Sequence, residues 1–256
     1  MHHILRANLT WQSLCGTSKI LVSYGLFMLV ACVCTLMWSL SDDRLIREVG
    51  VWVKPMKFMV ATSLFALTTV WILKVANSNV EHTKAYVWIV ALLVSTSLFE
   101  VIYISYQASQ ASASHYNVSD PFHAFMFGLM GLAAVGLTFT QAWLAWEIWK
   151  AQSIEIMPVE TLGVVLGLVL TFVLSTISGF MLGGNQPPAG QGLPVVGWHG
   201  FKDIRPSHFL GVHAQQLIPL WGLIAVNVMG SFAKMGLLVG ASVYVLLWAV
   251  SIWHSI

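Results

Sequence analysis

Four short strings hold the residue types and spacings that could do chemistry. Glu100, Tyr103 and Gln107 recur at i, i+3 and i+7, which places them on one stripe of a helix turning about 100° per residue. A carboxylate inside an apolar run pairs with a cation, binds a metal or keeps its proton. Its structural use is a protonated side chain bonded to a neighbouring helix. The second string runs from Arg205 to Gln216, with Pro206 suited to a first helical turn. His208 and His213 within it stand about 140° apart on a helix, so they cannot chelate one metal as an i, i+4 pair does. His213 shares a face with Gln216 and lies at about the depth expected for Glu100. The third string is Ser114-His115-Tyr116-Asn117 followed by Asp120-Pro121-Phe122-His123. Asp120 and Pro121 have the types of an N-cap and a first-turn residue, with His123 just inside the helix. In the fourth, Trp52 to Phe58, Lys54 and Lys57 open a helix at the end whose dipole favours anions. A phospholipid headgroup, a bound anion, a cofactor carboxylate or Glu100 is expected to compensate them.

The elements that must position these side chains are membrane spans. Of 256 residues, 57% are hydrophobic and 9% charged, against about 25% charged in a soluble domain. Twelve basic and ten acidic residues spread this thinly exclude a nucleic-acid binder, a disordered tail and most cytosolic enzymes. Cys15, Cys32 and Cys34 form no even disulfide framework. A span needs about 20 apolar residues, and seven runs qualify: 19–40, 55–76, 85–107, 121–148, 158–182, 207–230 and 232–253. The fold class is therefore all-α, a polytopic transmembrane helix bundle of about seven spans forming a single integral membrane domain over 1–256. The first run, lacking a small-residue cleavage site, reads as a retained helix. The Gly/Pro-rich stretch 183–206 has no periodicity, and a loop of that length is expected to be a lid over the polar residues. Lys and Arg near the span ends divide six against six between the two faces. Setting aside Lys54 and Lys57 as ligand-binding places the amino terminus inside. Six of nine histidines, His115, His123, His199, His208, His213 and His254, fall on the face of the first, third and fifth loops.

Three functions fit these residues. In the redox reading, two of His123, His208 and His213 are axial ligands of a b-type haem, since such ligation needs histidines from different helices. Lys54, Lys57 or Arg205 then neutralise its propionates, and a quinone or other small carrier binds nearby. A variant holds one transition metal through Glu100, His213 and His115 or His123, a donor set suited to zinc, iron or copper. In the transport reading, Glu100 and His213 are the acting pair, carrying protons in a gated cavity. No internal repeat accompanies them, as many carriers have. In the third reading the polar cluster only fixes helix packing in an assembly protein, with Gly128 and Gly131 supporting close contact.

The strings Lys-Pro-Met-Lys-Phe (54–58), Ser-His-Tyr-Asn (114–117) and His-Phe-Leu-Gly-Val-His-Ala-Gln-Gln (208–216) resemble those of a family of bacterial multispanning membrane proteins without an established activity. The resemblance covers the second to sixth spans and implies a bacterial inner membrane, with no mechanism.

Overall fold

A computed structural model describes residues 10–152 and 157–255. Among the described residues there are seven long helices: α1 (Gly16–Ser39), α2 (Val53–Val75), α3 (Lys84–Ser109), α4 (Pro121–Lys150), α5 (Val159–Gly184), α6 (Arg205–Met229) and α7 (Ala233–Ser255). Even a 23-residue helix is about 35 Å long at 1.5 Å per residue, enough for a hydrocarbon core about 30 Å thick. The chain is an integral membrane protein by this measure, with large apolar side chains such as Phe27, Val30, Trp88, Leu132 and Leu246 on its outer surface.

Several helices start by ordinary local chemistry. Asp120 accepts from the N–H groups of Phe122 and His123 and caps α4, with Pro121 in the first turn, as the sequence requires. Thr83 caps α3 through Tyr86 N–H, and the Cys15 thiol caps α1 through Ser18 N–H. The last apolar run, Arg205–Ser255, is 51 residues long. It is broken at Gly230 (φ 52°, ψ −119°), a conformation only glycine adopts readily. The chain then doubles back: Ser207 Oγ meets Ser251 Oγ at 2.9 Å, Tyr244 donates to the Leu210 carbonyl, and Trp221 Nε1 donates to the Gly236 carbonyl at 2.9 Å. Early α6 thus faces late α7, and α6–α7 is an antiparallel hairpin.

Helices α2 to α6 pack in sequence order, and α2 also reaches α5 and α6, closing the group around an interior. α1 lies outside on α2 and α3, and α7 outside on α6 and α5. The tightest seam joins α5 to α6 through glycines. A Cβ on Gly211 would lie 2.7 Å from Ser175 N, and one on Gly167 would lie 2.8 Å from Pro219 Cδ. Small residues let backbones approach where lipid offers no hydrophobic drive between helices. Gly128 and Gly131, expected to serve this purpose in α4, instead face open space.

Between α1 and α2 the chain makes a two-residue hairpin, β1 (Leu45–Ile46) against β2 (Val49–Gly50), with Leu45 opposite Gly50. Its turn residues, Arg47 and Glu48, both have positive φ (51° and 66°), the backbone of a turn that normally selects Asn and Gly. Arg47 is held there by the α5–α6 loop: its carbonyl accepts from Gly190 N–H at 3.2 Å and its guanidinium donates to the Pro187 carbonyl at 2.7 Å.

Candidate functional site

The site lies under the face where α1, α3 and α5 end. α3 presents Glu100, Tyr103 and Gln107 inward, all three buried, as their spacing requires. Glu100 is 4% exposed, and neither of its carboxylate oxygens has a hydrogen-bond partner among the described residues. It sits nine residues before the end of α3, about 14 Å along the helix from that end. Gln215, ten residues into α6, lies at a similar distance along its helix with both amide atoms buried and unpartnered.

Lys54, the second residue of α2, lies within electrostatic reach of Glu100, and its ammonium stands 5.9 Å from the Phe58 ring centroid. No ion pair of 4.0 Å or less joins the two charges among the described residues. The positive charge at the wrong end of the helix dipole is thus answered from α3, across a gap. Lys57, one turn on, donates to the Val196 carbonyl at 2.9 Å. That bond ties the α5–α6 loop down over the site, together with the Arg47 contacts and the Trp198–Phe209 ring pair at 5.2 Å.

His115 roofs the cluster. Its ring lies between Phe58 and Phe127, 6.1 and 5.9 Å between centroids, with Nδ1 3.2 Å from Ser114 Oγ. Burial, and then the nearby Lys54 charge, hold its pKa well below the ordinary 6.5, so the ring is neutral at pH 7. Tyr116 beside it lies tilted against Phe127, 5.2 Å between centroids, and donates to the Leu182 carbonyl at the end of α5. Burial pushes its hydroxyl up to about 12.

The other expected ligands are engaged elsewhere. His123 turns back to the cap, with Nδ1 2.5 Å from Asp120 Oδ2. His208 packs on α5, Nδ1 3.2 Å from Ser178 Oγ. His213 lies against Phe209, 3.9 Å between ring centroids, and makes neither a hydrogen bond nor an ion pair with Glu100. Arg205 forms a two-pronged pair with Asp203, 2.8 and 2.7 Å, which already neutralises it. Burial of Asp203 opposes its charge, yet Arg205 and the backbone N–H groups of His199 and Arg205 outweigh burial and hold its pKa below the carboxylate range.

Among the described residues, no three His, Cys, Asp or Glu side chains are gathered for a metal ion, so Glu100, His115, His123 and His213 do not form one set. Of the histidines expected to flank a haem, His123 and His208 have Nδ1 on Asp120 Oδ2 and Ser178 Oγ respectively. Sequence reasoning missed Asp203 and Gln215. Asp203, two residues before Arg205, carried the signal of a local acid–base pair; Gln215 carried none beyond its place in an apolar helix.

Neither a protein-family model, a curated protein nor a solved structure matches the chain.

Proposed function

We propose that the protein is a proton-coupled carrier of a small solute, with Glu100 as the proton-carrying group and Lys54 as its counter-charge. The observation that supports it is the state of Glu100: buried inside a helix long and apolar enough to span a membrane, with neither oxygen hydrogen-bonded among the described residues. An ionisable group inside a span costs about 2.5–3.5 kcal/mol at its centre on insertion scales and marks a function by default. A merely structural carboxyl would be bonded to a neighbouring helix, and this one is not.

The residues suggest the step. With Glu100 ionised, its charge offsets that of Lys54 and the interior is neutral overall. A proton taken by a Glu100 oxygen cancels the carboxylate and leaves Lys54 without a counter-charge. The site is then driven to shed one cation or rearrange, the two-state behaviour coupling needs. The α5–α6 loop, latched by Lys57 and Arg47, limits water entry from its side. His213, whose neighbours are Phe209 and Gln216, takes no part. The membrane is the bacterial inner membrane on the resemblance of the three strings.

The test uses purified protein in liposomes that enclose a pH-sensitive dye. Adding the low-molecular-mass fraction of a cell extract outside should change the internal pH with the wild type, and not with Glu100→Gln or empty vesicles. An equal response from Glu100→Gln contradicts the proposal. A Soret band that shifts on reduction of the purified protein would restore the haem reading instead.

A further inference from the structure

Two tryptophan-lined grooves on the outer surface are built on one plan. The first runs along α4, about 430 Å³ between Phe139, Ala142, Trp143 and Trp146, with Phe139 and Trp146 exposed. These residues stand at i, i+3, i+4 and i+7, one stripe of the helix, from about 16 Å to about 6 Å short of its end. At the shallow end the Trp143 indole N–H donates to Glu147 Oε1 at 3.3 Å, and Lys150 donates to the same oxygen at 2.9 Å. The Lys150 ammonium also lies 5.9 Å from the centroid of the Trp146 ring. The second groove, about 240 Å³, lies where α1 ends and α2 begins, between Cys34, Thr35, Trp38 and Trp52. Its mouth repeats the first: the Trp52 indole N–H donates to Asp42 Oδ2 at 2.7 Å, and Arg44 pairs with that oxygen at 2.7 Å. Gln152, two residues past α4, donates to the Ala76 carbonyl just past α2, so the two mouths lie at opposite ends of α2, about 35 Å apart along that helix.

In both mouths the cation is the group presented outward. The side chains of Lys150 and Arg44 are each 48% exposed, those of Glu147 and Asp42 only 13% and 11%. A tryptophan that merely anchors a helix at an interface needs neither a carboxylate on its N–H nor a cation beside it. Here the carboxylate fixes both, so a positive group stands at the open end of an apolar trough. The matching ligand is an amphiphile, with a chain along the trough and an anionic oxygen on the cation through a charge-assisted hydrogen bond. Charge then selects the headgroup. Each ion pair sums to zero, and the exposed Asp43 beside Arg44 makes the second mouth net negative. Glu147 Oε2 accepts no hydrogen bond among the described residues. A purely anionic headgroup brings its charge to a carboxylate that nothing further offsets. A headgroup holding a phosphate and an ammonium alternates with the ion pair and keeps the complex neutral.

We propose that each groove seats one phospholipid with an ammonium headgroup, its phosphate on Lys150 in one and on Arg44 in the other, and one acyl chain against the tryptophans. The two seats hold the bundle at both membrane faces, whether or not the protein is a carrier.

The experiment is native mass spectrometry of the delipidated full chain in detergent, titrated with phosphatidylethanolamine, phosphatidylglycerol and diacylglycerol of identical acyl chains. Phosphatidylethanolamine should fill two sites before further lipid adds, at least tenfold more tightly than the other two. Lys150→Gln and Arg44→Gln should each remove one site, and the double variant both, with helical content by circular dichroism unchanged. Arg44→Lys, which keeps the charge, should retain its site, and Trp146→Ala should weaken the Lys150 site alone. Lys84→Gln, which removes an exposed cation at the start of α3, should keep both. Two bound lipids in a folded double variant, or equal binding of phosphatidylglycerol or diacylglycerol, overturns the proposal. So does a graded series of adducts with no step at two, which would mean annular lipid only. Loss of a site in only one of the two glutamine variants upholds that groove and overturns the other.

Discussion

Between pH 7 and 5, a histidine that stays neutral in the fold and charges when the chain unfolds draws down stability, and His115 is placed to do so. Its folded pKa lies well below 6.5 because its ring is buried and faces Lys54. Below pH 6.5 the unfolded chain therefore binds the proton that the native one refuses, and stability falls as pH falls, by at most about 1.4 kcal/mol per pH unit. His115→Asn should flatten that slope in a denaturation series over pH 5–7. Asp203 is a second case: its side chain is fully buried and its charge is met by Arg205, which is 30% exposed. Arg205→Ala should cost about 3 kcal/mol, the lower end for breaking a buried pair, because solvent reaches the space Arg205 leaves. Equilibrium unfolding in mild detergent measures it. Glu100 should behave in the opposite way. Glu100→Gln removes a charge that nothing bonds, so stability should hold or rise while proton coupling is lost, the separation expected of a functional residue.

At the scale of helices, the α5–α6 seam depends on glycines that have no room for a side chain. Gly211→Val drives atoms into the α5 backbone at Leu174 and Ser175 and should cost about 3 kcal/mol, with lowered yield of folded protein. Gly128→Ala and Gly131→Ala, with nothing within 4 Å, should change neither. The helices themselves were legible in the sequence, every end within three residues of its expected place, because apolar length and caps such as Asp120-Pro121 are local signals. Position along a helix was legible for the same reason: Glu100 stands nine residues before the end of α3 and His213 eight residues after the start of α6. Their azimuth was not. Which helix faces which is decided by packing, and the α2–α3 neighbourhood gave Glu100 to Lys54 while Phe209 held His213 on α6. The Arg47-Glu48 hairpin was invisible too, since its turn residues break the usual preference and are kept in place by a loop 140 residues away.

The molecule as a whole is built for lipid, with apolar side chains outward and its orphaned polar atoms within. Its topology turns on the break at Gly230: α6 and α7 are each long enough to cross, and two crossings there would bring the described helices to seven passages. Single cysteines at Val195 and Ser231, in a background with Cys15, Cys32 and Cys34 replaced by serine, should therefore label with an impermeant thiol reagent from opposite sides of sealed vesicles. Labelling from one side would mean α6 does not cross. Across this scaffold the proposed function rests on one group, the Glu100 carboxyl, proposed to exchange a proton opposite Lys54. Infrared difference spectroscopy of the lipid-reconstituted protein during a pH change reads that exchange directly. The expected result is a carbonyl band of a buried protonated carboxyl that grows as pH falls, is absent in Glu100→Gln and is displaced in Lys54→Gln. A spectrum unchanged by Glu100→Gln would contradict the account.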